Sequence, residues 1–314
     1  MFRIAPFAVE QWMDEYETTP RVLNVAETCA ASVSIDDLVG MCSDPKAPGP
    51  INTSLKLTYG PIPGSHATRE RIAAQCSLED TRLGAEDIVV TQGAIGANFL
   101  VLQPLGPEDH VICVYPTYQQ LYEVPRSIGA EVTLWKLRKD NFVPNVNELV
   151  NLIRENTKMV IINNPNNPTG ATIHNNVLER IAQVAKEKRH YPLLRRATTL
   201  GYKKTITTGS MSQGYALAGI RVGWIASKDK SIMAAIMAAR DYTTISVSQI
   251  DDQIARYALS PAVLPSLVDH NLALTRTTSK LVKEFIERYN NICSWVEHTA
   301  GTTAFVRSAK MASP

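Results

Sequence analysis

A stretch of small and polar residues in the second half of the chain has the residue types that hold an anion. It covers residues 209–224 and contains Ser210, Ser212 and Arg221, and a short β-like run at 204–208 precedes it. Another apolar run closes it, so the stretch is predicted to form a turn between two buried strands. Small residues let a backbone approach a ligand closely, while hydroxyl groups and a guanidinium fork suit a phosphate. The sequence therefore predicts a concave anion-binding site around this stretch, which we call the cup.

Around this stretch, strand patterns alternate with helix patterns. Continuous apolar runs such as residues 159–162 are typical of strands that are buried on both faces. The alternation predicts an α/β fold with a mostly parallel sheet that is covered by helices. The predicted strands are 88–91, 110–115, 131–137, 159–163 and 191–194, and the predicted helices are 67–75, 94–102, 146–155, 175–188, 231–240, 248–259 and 266–289.

In such a sheet, ligands bind beyond the carboxyl ends of the strands. Gly93, Ala94 and Ile95 follow the first of these strands, at a predicted helix start whose free N–H groups can bind an anion. Tyr118 follows the next strand, and its ring can lie flat on a planar heterocycle. Taken alone, each feature has a plainer alternative, namely a tight turn and an aromatic ring that packs a loop.

The most specific motif is the segment 164–170, which reads Asn-Pro-Asn-Asn-Pro-Thr-Gly. Two X-Pro steps and a final glycine after a buried strand predict a rigid loop. Asparagine side chains in such a loop offer both donors and acceptors, so Asn167 is a candidate ligand-binding residue.

In this order, the motifs resemble those of fold-type I pyridoxal 5′-phosphate (PLP) enzymes, the class I/II aminotransferases. The resemblance implies PLP as cofactor and transfer of an amino group between an amino acid and a 2-oxo acid. It implies that Asn167 binds the phenolic O3′ of the cofactor and that Tyr118 stacks on its ring. It assigns the phosphate to Gly93, Ala94, Ile95, Ser210 and Arg221, and to Tyr59 contributed by the neighbouring subunit of a homodimer.

The chain departs from this family at its chemical centre. Gln213 stands where the resemblance requires the lysine that forms the Schiff base with the cofactor. A glutamine amide is uncharged, so it supplies neither the nucleophile nor the base for proton transfer. The sequence therefore predicts that PLP binds here without a covalent bond.

Two further groups that the resemblance implies are missing. The first is an aspartate on the pyridine nitrogen, which should follow the strand 191–194; the chain instead continues with residues 195–199, Arg-Arg-Ala-Thr-Thr, and has no acid at 189–227. The second is an arginine that grips the substrate carboxylate, for which Arg307 comes too early in the sequence. We expect a segment after Leu194 to be absent and the C-terminal small domain to be truncated.

Three hypotheses fit these departures. The chain is an incomplete or degenerate aminotransferase with weak or lost activity, a pseudoenzyme that pairs with a complete relative and lends it Tyr59, or a variant that binds the cofactor only non-covalently. Whether the sequence around Leu194 is complete separates the first hypothesis from the other two.

The chain has 314 residues, of which 45% are apolar, enough for a large domain and a smaller one. We predict an N-terminal arm with part of the small domain at 1–45 and the PLP-binding large domain at 46–260. The segment 261–314 is predicted to form a long helix and a truncated α+β small domain that ends in a hairpin of 294–298 and 302–308. Phe2, Ile4, Phe7 and Trp12 give the arm an apolar surface that docks on the body or on a partner subunit.

The net charge and the cysteines indicate which classes of function and which cellular compartment to expect. The net charge is +2 and no long run carries one sign, which argues against nucleic-acid and membrane-surface roles. The five cysteines are scattered and form no C-x-x-C pair, which predicts a reduced, cytoplasmic protein without a disulfide framework. No metal site is predicted.

Overall fold

A computed structural model describes residues 4–17, 19–22, 27–78, 81–188, 191–194 and 202–309. The helices are α1 Ala8–Tyr16, α2 Ile35–Gly40, α3 His66–Cys76, α4 Gly93–Leu102, α5 Gln120–Ser127, α6 Val146–Leu152, α7 Asn175–Glu187, α8 Lys230–Asp241, α9 Gln249–Ala258 and α10 Leu264–Arg288. The strands are β1 Ile88–Gln92, β2 His110–Tyr115, β3 Glu131–Lys136, β4 Thr157–Ile162, β5 Tyr191–Leu194, β6 Thr207–Ser210, β7 Val222–Ala226, β8 Cys293–Trp295 and β9 Val306–Ser308.

Strands β1 to β7 form two hydrogen-bonded sheets, which we call ladders. One has the order β3-β2-β4-β5 and is parallel throughout. The other has the order β1-β7-β6, and β7 runs antiparallel to both of its neighbours. The predicted α/β architecture with a mostly parallel sheet is confirmed, with β7 as the strand that reverses direction.

Alternate residues of the buried strands point into different cores. Val111 and Cys113 of β2 belong to a core that also contains residues of α4, α5 and α8. Ile112 and Val114, one position along, belong to a second core that contains residues of α6 and α7. Helices therefore cover both faces of the parallel ladder, as the continuous apolar strands predict.

Several predicted bounds differ from the structure. The helix predicted at 146–155 ends at Leu152, and the strand predicted at 159–163 is found at Thr157–Ile162. The strand predicted at 204–208 is found at Thr207–Ser210, because its pairing with β7 extends to Ser210 opposite Gly223. The predicted hairpin keeps only β8 and β9, because the chain between them is bonded elsewhere: the amides of Thr299 and Ala300 both donate to the carbonyl of Gly170.

The N-terminal arm docks on the body of the same chain. The rings of Phe7 and Tyr118 lie 5.1 Å apart, and the Gln119 side chain donates to the carbonyl of Pro6 and accepts from the amide of Ala8. Phe2, which the sequence assigns to this arm, lies outside the described residues. In the described ranges, no helix has both the length and the apolar character needed to cross a membrane.

Candidate active site

The N-terminus of α4 forms one wall of the site. α4 begins at Gly93 directly after β1, and no side chain caps it. Its first-turn N–H groups, including those of Ala94 and Ile95, are therefore open to a ligand, and the helix dipole adds partial positive charge there. Gly93 has a φ of +69°, a backbone conformation that side-chain-bearing residues adopt only with strain.

The guanidinium of Arg221 lies against Gly93. A Cβ atom added to Gly93 would lie 2.8 Å from Nη2 of Arg221, so the glycine leaves room for this cation. Nη1 donates to the carbonyl of Ala218 at 2.9 Å. Among the described residues, no carboxylate forms an ion pair with Arg221. A cation without a carboxylate partner beside open helix amides is suited to bind an anion.

Gly223 explains why Arg221 reaches this position. A Cβ atom on Gly223 would lie 2.3 Å from the carbonyl carbon of Gly93, so β7 and the start of α4 meet through their backbones. Only glycine allows so close an approach. Arg221 precedes Gly223 by two residues and is thereby held at the helix start.

Ser210 and Gln213 lie together at the end of β6, where Ser210 pairs with Gly223 of β7. Ser210 is buried at the end of β6, and its hydroxyl donates to Oε1 of Gln213 at 3.3 Å and accepts from the amide of Ser212. The structure thus brings Gln213 beside a predicted phosphate ligand. Among the described residues, this neutral contact is the only hydrogen bond that the Gln213 side chain makes.

Tyr118 lies under the N-terminal arm. Its hydroxyl donates to Oε1 of Glu10 at 3.2 Å. Burial raises the pKa of Tyr118 and the Glu10 carboxylate raises it further, while the nearby charge of Arg221 acts in the opposite direction. Burial and the neighbouring carboxylate therefore keep the phenol protonated.

The asparagine loop is held by two of its own side chains. Asn164 donates to the carbonyl of Ile173 and accepts from its amide, at 3.1 and 2.8 Å. Asn166 donates to the carbonyl of Pro116 at 3.0 Å, which joins the loop to the turn after β2. Asn167 is half-buried, and its side-chain amide makes no hydrogen bond to the described residues. Asn167 is therefore free to bind a ligand.

The sequence matches the family described as aminotransferase class I and II over residues 52–289. The chain belongs to this family. A PLP-dependent aminotransferase from Streptococcus suis is 32% identical and superposes with a TM-score of 0.87, over 98% of this chain and 84% of that one. Capreomycidine synthase of Streptomyces vinaceus is 27% identical over 81% of this chain and 67% of its own length. An aspartate aminotransferase of Pyrococcus horikoshii is 30% identical, but the match covers only 47% of this chain and 42% of that enzyme.

PLP is the cofactor of this aminotransferase family, and the residues of the cup fit its phosphate. The open amides of α4, the guanidinium of Arg221 and the hydroxyl of Ser210 are donors of the kind that bind phosphate oxygens. Gln213, the residue predicted to stand at the position of the lysine, carries a neutral amide that does not fit a covalent bond to the cofactor aldehyde.

Other predicted features of the family are placed elsewhere or remain untested. Tyr59 is 79% exposed, and no hydrogen bond or ring contact to the described residues involves its side chain, so its role in a neighbouring subunit stays a prediction. β5 pairs with β4 so that Leu194 lies opposite Ile162, the last residue of β4. Residues 195–201, where the sequence lacks the expected aspartate, lie outside the described residues.

Arg307 is engaged away from the cup. Its Nη2 donates to the carbonyl of Lys139 at 3.1 Å, and its guanidinium lies 5.1 Å from the centre of the Phe142 ring. Both contacts attach β9 to the loop after β3. That Arg307 is not the arginine for the substrate carboxylate stays a prediction.

Nothing in the sequence indicated that Cys29 lies close to the candidate site. The amide of Ala30 donates to the carbonyl of Gln213 at 3.3 Å, which brings the segment at 27–33 against the cup. Burial raises the pKa of the Cys29 thiol to about 11, helped by Glu27 and opposed by the charge of Arg221. This neighbourhood arises from contacts between residues far apart in sequence, so no local pattern could have revealed it.

Proposed function

We propose that this chain binds PLP reversibly and without a covalent bond, and that its capacity for amino transfer is weak or lost. The observation that carries the proposal is the position of Arg221, whose guanidinium lies against Gly93 at the uncapped start of α4 and has no carboxylate partner in the part of the chain that the structure describes. The phosphate group is expected to bind there because helix amides and a guanidinium are charge-complementary to it.

In the proposed complex, the chain's own residues hold and orient the cofactor. Tyr118 contacts the ring and Asn167 donates to the phenolic oxygen. PLP, when bound, supplies an electron sink for amino-acid chemistry, but this requires a carboxylate on the ring nitrogen and a base near the substrate. Gln213 cannot serve as that base, and the sequence has no acid at 189–227. We therefore propose that the chain keeps the ability to bind the cofactor although it has lost most or all of its amino-transfer activity.

The substrates of the parent reaction are proposed to be an amino acid and a 2-oxo acid. This rests on family membership and on the names of relatives, which include aspartate aminotransferases and a capreomycidine synthase. Because the match covers 42% of the Pyrococcus horikoshii enzyme, the particular amino donor is left open. A cytoplasmic location is proposed because no disulfide joins the five cysteines, all of which lie among the described residues, as is usual in a reducing compartment.

A second proposal is that the chain forms dimers, either with itself or as a pseudoenzyme with a complete relative. Supporting it, Leu57, Tyr59 and Tyr242 are large apolar or aromatic side chains that are at least two-thirds exposed. The loop carrying Tyr59 is fixed by bonds from the Gln249 side chain to the carbonyls of residues 56 and 58. Exposed apolar surface of this kind marks interaction sites. Dimers or larger species are expected in light scattering at micromolar concentration, and a clean monomer would contradict this proposal.

The proposed function is tested with pyridoxamine 5′-phosphate and with pyridoxamine, neither of which has an aldehyde that could react with surface lysines. The wild-type chain should bind the phosphorylated compound much more tightly. Arg221→Ala should weaken that binding roughly 10- to 100-fold, the effect of losing a charged hydrogen bond worth ~1.5–3 kcal/mol. Arg180→Ala, which removes an equal charge from the exposed face of α7, should leave it unchanged. Equal affinity for both compounds would refute the proposal.

A further inference from the structure

A chain of three hydrogen bonds runs through the apolar core behind the cup. Thr208 of β6 donates through its hydroxyl to Oδ1 of Asn98 at 2.8 Å. Nδ2 of Asn98 donates to Oε1 of Gln120 at 3.0 Å. Nε2 of Gln120 then donates to the carbonyl of Ile95 at 2.7 Å. Each polar atom of the two amide side chains therefore has a partner.

The two amides are buried among apolar side chains. Asn98 is 7% exposed and Gln120 is 6% exposed. Neighbouring positions on the same two helices, such as Ala97 and Leu121, belong to the apolar core between the sheet and α4, α5 and α8. A hydrophobic residue at 98 or 120 would also suit this setting. An amide is directional, however, so a fully satisfied buried network selects one arrangement of its helices, whereas apolar contacts tolerate sliding.

The network joins the three elements that carry the candidate site. Thr208 lies two residues before Ser210 on β6, and Gln120 lies two residues after Tyr118 at the start of α5. Ile95 is in the first turn of α4, whose open amides form the wall of the cup. Hydrogen bonds to a phosphate weaken steeply when the donor–acceptor distance leaves the range ~2.7–3.2 Å. A small axial shift of α4 against β6 would therefore weaken phosphate binding.

We propose that Asn98 and Gln120 are positioning residues for phosphate binding, which set the first turn of α4 in register with Ser210 and Tyr118. Neither side chain needs to touch the ligand. The inference rests on the proposed function, because it concerns the same anion cup. It predicts that loss of the network reduces the preference for phosphorylated ligands and not merely the stability of the fold.

The test uses Asn98→Leu and Gln120→Met, two uncharged variants of similar volume. Dissociation constants for pyridoxamine 5′-phosphate and pyridoxamine are measured on the full chain, and each variant is checked for cooperative unfolding. Each variant is expected to bind the phosphorylated ligand about tenfold more weakly, the loss of one well-placed charged hydrogen bond, with pyridoxamine binding within about twofold of wild type. If Asn98→Leu does not fold, the result for Gln120→Met tests the positioning role by itself. Removing the Gln120 amide leaves the Thr208–Asn98 hydrogen bond in place, so this variant is expected to disturb the fold less.

Thr157→Val is the matched control. Thr157 is equally buried and its hydroxyl bonds to the ring of His110 and the amide of Arg154, at the opposite end of the parallel strands. It should lower stability without changing the ratio of the two dissociation constants. Folded Asn98 and Gln120 variants with the wild-type ratio would overturn the positioning role alone. A wild-type chain that shows no preference for the phosphorylated ligand would overturn the proposed function and this inference with it.

Discussion

Replacing Gly93 by alanine is expected to lower both the stability of the fold and the affinity of the cup for a phosphorylated ligand. The substitution places a methyl group on a residue with a φ of +69°, and the new Cβ would lie 2.8 Å from Nη2 of Arg221. The backbone conformation alone costs about 1–2 kcal/mol. The guanidinium is the flexible end of a side chain, so it moves aside and leaves its place at the start of α4.

We expect two measurable losses from Gly93→Ala. With a urea slope of ~3 kcal/mol/M, a loss of ~1–2 kcal/mol lowers the unfolding midpoint by roughly 0.3–0.7 M. Displacement of the guanidinium should weaken binding of pyridoxamine 5′-phosphate by about tenfold or more, because a charge-assisted hydrogen bond is lost.

Gly96→Ala is the control for this prediction. Gly96 lies in the same helix, and a Cβ there would find its nearest neighbour at 3.7 Å, which is an ordinary contact. In a helix interior, alanine should raise stability by up to about 1 kcal/mol and leave ligand affinity unchanged. If Gly93→Ala matched wild type in both measurements, the assigned position of Arg221 would be wrong.

Three further predictions concern individual side chains. Gln213→Lys should form a reducible covalent bond to PLP at that position, yet amino transfer should stay far below that of ordinary relatives, because the sequence has no acid at 189–227 to pair with the ring nitrogen; robust transfer would contradict this. Because its pKa is raised to about 11, the Cys29 thiol should be alkylated slowly at pH 8, where ~0.1% is thiolate, and Glu27→Gln should accelerate alkylation; an unchanged rate would count against this account. Gly209→Ala places a Cβ 2.5 Å from the indole of Trp224 and should cost ~1–3 kcal/mol in urea unfolding, whereas no loss would mean that this contact is relaxed.

Local patterns sufficed to predict most of the fold. β2 begins and ends at the predicted residues His110 and Tyr115, because a continuous apolar run bounded by turn residues is unambiguous. The direction of β7 could not be derived in this way, since an apolar run looks the same in either direction. The shift of β6 to Thr207–Ser210 likewise reflects pairing with a distant strand, which overrides local preference.

The candidate site was predictable where a motif carries its own geometry. The resemblance assigns both Gly93 and Arg221 to the phosphate, and the structure brings these two residues into contact. Cys29, Asn98 and Gln120 were not predicted, because their importance depends on which elements pack together and not on their neighbours in sequence. The contact between Phe7 and Tyr118 is of the same kind, since it joins the arm to a turn far along the chain.

The central claim is that this chain holds PLP at the cup without a bond to the protein. Its most direct test is to saturate the chain with PLP, reduce with borohydride, and determine the mass and the modified peptides, with Gln213→Lys as the positive control. The account predicts reversible binding that dialysis removes, no pyridoxyl adduct in the pocket of the wild-type chain, and one adduct at position 213 in the variant. A stoichiometric adduct on a single wild-type residue lining the cup would contradict the claim.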